Sequence, residues 1–172
     1  MLIPTDSLAT LTSTSNIEFE NLIVNGTEEA EAEEIKEWHF HVYFFQNNEK
    51  SKASALVLRQ KIIELTREGF FYPVPSSVNM APLGPHPIGS YEVWCPKEHF
   101  NRVFSWFVLH RGQHSVLVHP LTVEEIKDHT EREVWMGTPM PLDTERLHER
   151  LPQVPLQYPE LKMGYSAPPS SR

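Results

Sequence analysis

Several features that define whole classes of protein are missing from this sequence. Its 172 residues contain no apolar run of membrane-spanning length. The amino-terminal stretch does not join a basic segment to an apolar one, so a signal peptide is not predicted. The one cysteine, Cys95, cannot form a disulfide within the chain, and we interpret it as a small buried hydrophobic residue. Together these absences predict a cytoplasmic protein.

Positive charge is scarce as well. Lysine and arginine number 15 against 23 aspartates and glutamates, which gives a formal net charge of -8. The basic residues form no stripe with interleaved aromatic residues, so we expect no nucleic-acid partner. Histidine, in contrast, occurs nine times, and this abundance needs an explanation.

The segment WHFHVYFF at 38–45 places two histidines two residues apart. Side chains alternate between the two faces of a β-strand. The even-numbered residues from Trp38 to Phe44 would therefore face a core, while His39 and His41 would share the opposite face. Taken alone, such a pair fits a metal site, and it fits a structural role at least as well.

The order of the predicted elements indicates the fold class. Strands are predicted at 38–45, 70–74, 89–95 and 115–119, and helices at 51–68 and 97–111. Pro73 and Pro75 confine the second strand to a sheet edge or a bulge. The resulting βαββαβ order predicts an α+β, ferredoxin-like domain, with a four-stranded antiparallel sheet and two helices on one face.

Composition suggests the limits of this single domain. Residues 1–37 are rich in Thr, Ser and Asn and end in an acidic run, which predicts a flexible acidic leader. Residues 38–151 carry the predicted elements. The Pro/Ser-rich stretch at 152–172 predicts a loosely attached C-terminal tail.

Two helices on one side of the sheet would leave its other face uncovered. By the same alternation, Glu92 on the third strand and His119 on the fourth would point to this face together with His39 and His41. Ferredoxin-like strand order makes their strands neighbours. Histidine and carboxylate groups are ligands for non-haem Fe(II), and zinc accepts the same groups. The alternative is a histidine-lined sheet that dimerisation buries.

Five motifs carry a resemblance to a known family. They are WHFHVYF at 38–44, GPHPIGSYEV at 84–93, RG at 111–112, SVLVHPLT at 115–122 and DHT at 128–130. Over 38–147 the sequence resembles the fungal-type DOPA 4,5-dioxygenases, which are extradiol catechol dioxygenases. One position departs from the family pattern, because Ala81 stands where some members have a histidine.

The resemblance implies a ferredoxin-like subunit, commonly a homodimer, that opens the ring of a catechol such as DOPA. It implies Fe(II) as cofactor, dioxygen as co-substrate and a semialdehyde as product. On this basis we interpret His41, His86 and His119 as metal ligands and His39 as the catalytic acid/base. Glu92 would be a substitute ligand or a carboxylate that orients a histidine.

Two further residues are candidates for substrate binding. Arg111 would pair with a substrate carboxylate, although a helix-terminal arginine also suits the helix dipole. His129 would lie in the pocket or stay exposed on a short helix. The alternative function is a metal-free, dimeric ferredoxin-like domain that binds or oxidises a small aromatic compound.

Overall fold

The computed structural model describes residues 34–169. Its strands are β1 (Glu37–Phe44), β2 (Val74–Asn79), β3 (Gly89–Pro96), β4 (Val116–Pro120) and β5 (Val134–Met136), and its α-helices are α1 (Glu49–Arg67), α2 (Lys97–His110) and α3 (Glu125–Thr130). Most of the predicted leader therefore lies outside the described residues. Its last residue, Glu37, is the first residue of β1.

The five strands form one antiparallel sheet in the order β2-β3-β1-β4-β5. The first four strands have the predicted ferredoxin-like order, with β1 between β3 and β4. The prediction of four strands was incomplete, because β5 pairs with Val116, Leu117 and Val118 of β4. This short strand covers a backbone edge that β4 would otherwise present to solvent.

The second strand lies further along the chain than predicted. The sequence places it at 70–74, whereas β2 spans Val74–Asn79. Pro75 lies opposite Val93, and the register shifts between Pro75 and Val78. β2 is an edge strand with this irregularity, which is the setting that the two prolines predict. Phe71, which we expected in the strand, is instead buried in the core.

Helix α1 begins and ends with local signals in the sequence. The Asn48 side chain accepts a hydrogen bond from the Ser51 backbone N–H at 3.0 Å and so caps the amino-terminal end. Gly69 follows the last turn with φ +71°, a left-handed conformation that glycine adopts without strain. The helix therefore runs to Arg67, close to the predicted end.

The core lies between one face of the sheet and helices α1 and α2. The even-numbered residues of β1 face it, as predicted, and the Phe40 ring stacks on Phe107 of α2 with centroids 5.1 Å apart. Ala55, Leu58 and Ile62 supply the buried side of α1. Cys95 is fully buried in this core, in agreement with its interpretation as a hydrophobic residue.

The opposite face of the sheet is also covered, contrary to the prediction of an open face. After β4 the chain forms α3 and then three single-turn 3₁₀ helices, at Thr144–Arg146, Pro159–Leu161 and Gly164–Ser166. Residues of this part of the chain lie over the histidine-bearing face, where His39 and His119 are almost entirely buried. No helix within residues 34–169 is long and apolar enough to cross a membrane.

The contacts of residues 152–165 contradict the loose attachment predicted for the tail at 152–172. Together with Leu151, we call this segment, residues 151–165, the C-terminal strap. At one end the Leu151 N–H donates to the Val123 carbonyl at 2.7 Å. At the other, the Tyr165 N–H donates to the Glu37 carboxylate at 3.0 Å and the Tyr165 hydroxyl donates to the Leu121 carbonyl at 2.8 Å. The domain limits predicted at 37/38 and 151/152 remain predictions.

We expect Phe40→Ala to destabilise the fold by about 3–5 kcal/mol, because it leaves a cavity beside Phe107 in the centre of the core. The measurement is urea unfolding followed by circular dichroism. Leu109→Ala on α2 is the control, because Leu109 is 78% exposed and its truncation should change the free energy of unfolding by less than about 0.5 kcal/mol. Equal midpoints for the two variants would contradict this position of the core.

Candidate functional site

Five buried histidines gather on the face of the sheet opposite α1 and α2: His39 and His41 of β1, His86 of the loop before β3, His119 of β4 and His129 of α3. Strand register brings three of them together. His39 lies opposite His119 across β1 and β4, and His41 lies opposite Glu92 across β1 and β3. The alternation argument from sequence therefore placed these side chains correctly.

One group of candidate ligands consists of His39, His41 and His119, each of which offers a ring nitrogen within 4.8 Å of the others. The Nε2 atoms of His41 and His119 are 3.0 Å apart. The His119 Nδ1–H donates to the Pro120 carbonyl at 2.8 Å, so the His119 Nε2 lone pair is directed at His41. Three imidazoles with converging nitrogens form a donor set that suits Fe(II) or Zn²⁺.

His86 lies beside this group, in contact with a residue that we did not predict. The His86 ring centroid is 4.1 Å from that of His41, and its Nδ1 lies 2.7 Å from the Tyr43 hydroxyl. The group with ring nitrogens within 4.8 Å of one another, which we call the geometric group, thus contains His39, whereas the ligand set predicted from sequence contains His86 in its place. The set His41, His86 and His119 remains a prediction.

Both ring nitrogens of His39 have oxygen neighbours. Its Nδ1 is 3.3 Å from the Glu92 carboxylate, and its Nε2 is 3.0 Å from the Gln157 side-chain carbonyl. The carbonyl contact at Nε2 leaves the Nδ1 lone pair of neutral His39 facing Glu92, so the role of Glu92 as a carboxylate that orients a histidine stays a prediction. His39 has a restricted ring orientation, because partners flank it on two sides.

His129 is buried at the cavity, although the sequence left open an exposed position. Its Nδ1–H donates to the Glu125 carbonyl at 2.8 Å, and its ring centroid is 3.9 Å from that of His119. The neighbouring Asp128 carboxylate holds α3 in place, since it accepts hydrogen bonds from the Thr122 N–H at 2.8 Å and from Arg132 at 2.9 Å.

Burial determines the charge state of the cluster. It lowers the pKa of His39 to about 3 and that of His86 to about 4, and holds the pKa values of His41 and His119 well below their usual range. Neighbouring histidines lower these pKa values further, because two imidazolium charges at this distance repel. The rings are therefore neutral near pH 7, which is the form that binds a metal. Burial also raises the pKa of Glu92 to about 7.

A cavity of about 260 Å³ opens onto the histidines. Its other wall is largely apolar and includes Leu147, Leu151 and Pro155. Glu92, Glu125 and Asp128 contribute carboxylates to the lining, whereas within residues 34–169 no lysine or arginine lines it. The cavity therefore combines apolar side chains with neutral nitrogen donors and carboxyl groups.

The structure does not bring Arg111, the predicted partner of a substrate carboxylate, to the histidine cavity. Arg111 follows the last residue of α2, which packs on the opposite face of the sheet. Its guanidinium donates to the His114 carbonyl at 2.8 Å, and the residue lines a separate cavity between α1 and α2. The alternative, an arginine that interacts with the carboxyl end of its helix and the following turn, agrees with this position.

Sequence reasoning missed two residues of the site. Alternation along β1 does place Tyr43 on the same face as His39 and His41, but nothing in the sequence assigned it a role. Gln157 gives no such signal, since it lies in a Pro-rich segment without periodicity, and its contact with His39 joins residues 118 positions apart.

Comparisons with known proteins identify relatives. The model of the Dopa 4,5-dioxygenase family matches residues 38–146. A DOPA 4,5-dioxygenase from Amanita muscaria is 52% identical over 135 residues, which are 78% of this chain and 59% of that protein. An uncharacterised 21.2 kDa protein from Botryotinia fuckeliana is 38% identical over 112 residues, which are 60% of this chain and 58% of that protein. The chain thus spans less than two thirds of the length of these curated relatives.

A solved structure has the same fold. The crystal structure of a proposed dioxygenase from Nostoc punctiforme matches with a TM-score of 0.57 and 30% identity, and the match covers 64% of this chain and 90% of that one. The region matched by the family model contains all five histidines of the cluster. The chain belongs to the Dopa 4,5-dioxygenase family.

Proposed function

We propose that this protein is an extradiol ring-cleaving dioxygenase that acts on a catechol such as DOPA. It would use non-haem Fe(II) and dioxygen and give a ring-opened semialdehyde. The observation that carries this proposal is the buried, neutral histidine group beside a cavity of about 260 Å³. Support also comes from the 52% identity to the Amanita muscaria enzyme, which is named a DOPA 4,5-dioxygenase.

The residues present fit an iron site. His41 and His119 would hold the metal, because their Nε2 atoms already converge. The third protein ligand would be His86, as predicted, or His39, which completes the geometric group. Bound Fe(II) would supply coordination positions for both catechol oxygens and for dioxygen.

The other residues would bind the ring and move protons. Leu147 and Leu151 offer an apolar surface on which the flat ring of a catechol would pack. His39 would serve as the acid/base if His86 is the third ligand, because Glu92 and Gln157 hold its ring at the cavity wall. The homodimer and the cytoplasmic location that the sequence predicts remain predictions.

We expect the protein purified without oxygen to bind about one Fe(II) per chain, measured by calorimetry and by metal analysis after desalting. His41→Ala and His119→Ala should each weaken binding by at least about a hundredfold, because each removes a ligand nitrogen. His110→Ala is the control, since His110 is exposed on α2. Iron retained by both site variants would contradict the ligand assignment.

The third ligand is decided by two further variants. If His86 is the ligand, His86→Ala should weaken Fe(II) binding as strongly as His119→Ala does, while His39→Ala should retain iron and lose turnover. The reverse pattern would assign the metal to His39 and leave His86 as a neighbour of the site held by Tyr43.

Activity is tested directly by mixing the Fe(II) form with DOPA, caffeic acid or plain catechol. We expect dioxygen uptake together with a new yellow absorbance from the ring-opened product. Uptake by the apoprotein at the same rate would instead favour the metal-free domain that oxidises a small aromatic compound. No uptake with any catechol would contradict the proposed activity.

The charge of the cavity lining leads to an expected order among substrates. Three carboxylates and no lysine or arginine line the cavity within the described residues, so an anionic side chain on the catechol has no cationic partner there. We expect caffeic acid to have a KM about fivefold above those of dopamine and plain catechol, which corresponds to about 1 kcal/mol. Glu125→Gln should reduce the difference in KM between caffeic acid and the other two compounds. Equal KM values would contradict this reading of the lining.

A further inference from the structure

The C-terminal strap lies beyond residues 38–146, the region that the family model matches. It nevertheless reaches the cavity, since Leu151, Pro155 and Gln157 are part of the lining. Gln157 is the strap residue whose side chain contacts the histidine group directly, through His39. Its own side chain is largely exposed, whereas His39 is buried. Gln157 thus stands at the cavity mouth.

The Gln157 amide contacts one side of the His39 ring. Its carbonyl oxygen accepts a hydrogen bond from the His39 Nε2–H at 3.0 Å. An amide carbonyl oxygen only accepts, so this contact places the proton on Nε2. On the other side of the same ring, the His39 Nδ1 lies 3.3 Å from the Glu92 carboxylate.

We propose that Gln157 is a positioning residue that holds His39 in one ring orientation and one tautomer. A carbonyl acceptor at Nε2 requires the proton to be on that nitrogen, so the Nδ1 lone pair of neutral His39 faces Glu92. The proton-transfer role given to His39 rests on the proposed function. The orientation itself rests on the contacts of Gln157.

Two anchors hold the strap where this contact requires it. Directly after Gln157, the Tyr158 ring lies over Trp94 with centroids 5.1 Å apart. Further on, the Gly164 N–H donates to the Glu98 carboxylate at 3.1 Å, and Gly164 has φ +60°. A Cβ at Gly164 would overlap the Glu37 side chain. Gly164→Ala should therefore displace the strap without altering any side chain of the cavity.

The decisive experiment is long-range ¹H–¹⁵N NMR of the histidine rings in metal-free protein. We expect the His39 spectrum of the wild type to show the Nε2–H tautomer. Gln157→Met, which keeps the length of the side chain and removes the carbonyl acceptor, should shift His39 to a mixture of tautomers. Gln157→Glu, which keeps an acceptor for His39, should retain Nε2–H. Gln153→Met is the control, since Gln153 is an exposed glutamine of the same strap.

Kinetics of the iron-loaded enzyme provide a second measurement. If His86 is the third ligand, Gln157→Met should lower kcat about tenfold and leave KM and iron content within about twofold, because the side chain then acts through His39 and does not hold the metal. Gly164→Ala should reproduce the His39 tautomer shift, and the double variant should add nothing to it. A merely structural role for Gln157 would change stability without a change of tautomer.

The outcomes separate this proposal from the proposed function. If Gln157→Met leaves the tautomer of His39 unchanged, Gln157 is not a positioning residue, whatever the activity. If the tautomer shifts while the wild type consumes no dioxygen with any catechol, the positioning role stands and the dioxygenase activity fails. If Gly164→Ala does not fold, the His39 tautomer in Gln157→Met alone decides the question, since Gln157 is exposed.

Discussion

The antiparallel register of β1 between β3 and β4 is the constraint on which the rest of the structure depends. It pairs His39 with His119 and His41 with Glu92, and it sends the even-numbered residues of β1 into the core. A shift of one residue would exchange the two faces of β1, so the histidines would enter the apolar core and Phe40 would lie in the cavity. The burial of Phe40 and its neighbours thus fixes the site, because the same register serves both faces.

Burial of the polar face requires compensation, which the sheet and the chain after β4 supply together. His119 donates to the Pro120 carbonyl, His129 donates to the Glu125 carbonyl, and His39 has Gln157 and Glu92 as partners. A buried polar group without a partner costs about 1–3 kcal/mol, so these contacts are a condition for keeping the histidines in the protein interior. Their neutral state reduces the cost further, because an imidazolium would lose more hydration.

The parts of the site that the sequence predicts are those governed by strand periodicity. His39, His41, Glu92 and His119 follow from alternation, and His86 was selected only through the family resemblance. Arg111 follows a helix that the prediction itself placed on the face opposite the histidines, and the structure keeps it there, away from the cavity. β5 and the C-terminal strap depend on contacts between distant residues, and no local pattern in a three-residue strand or a Pro-rich segment indicates such contacts.

The sheet and the C-terminal strap both contribute residues to the site, but their backbones are held with different firmness. The histidines of β1 and β4 stand on central strands paired on both sides, so their backbone cannot move without breaking the sheet. Gln157 stands on a strap without regular structure, and its side chain is exposed. Rotation of one exposed side chain takes picoseconds to nanoseconds and moves no backbone. Rotation of Gln157 would therefore release His39 and leave the backbone that carries His41 and His119 in place.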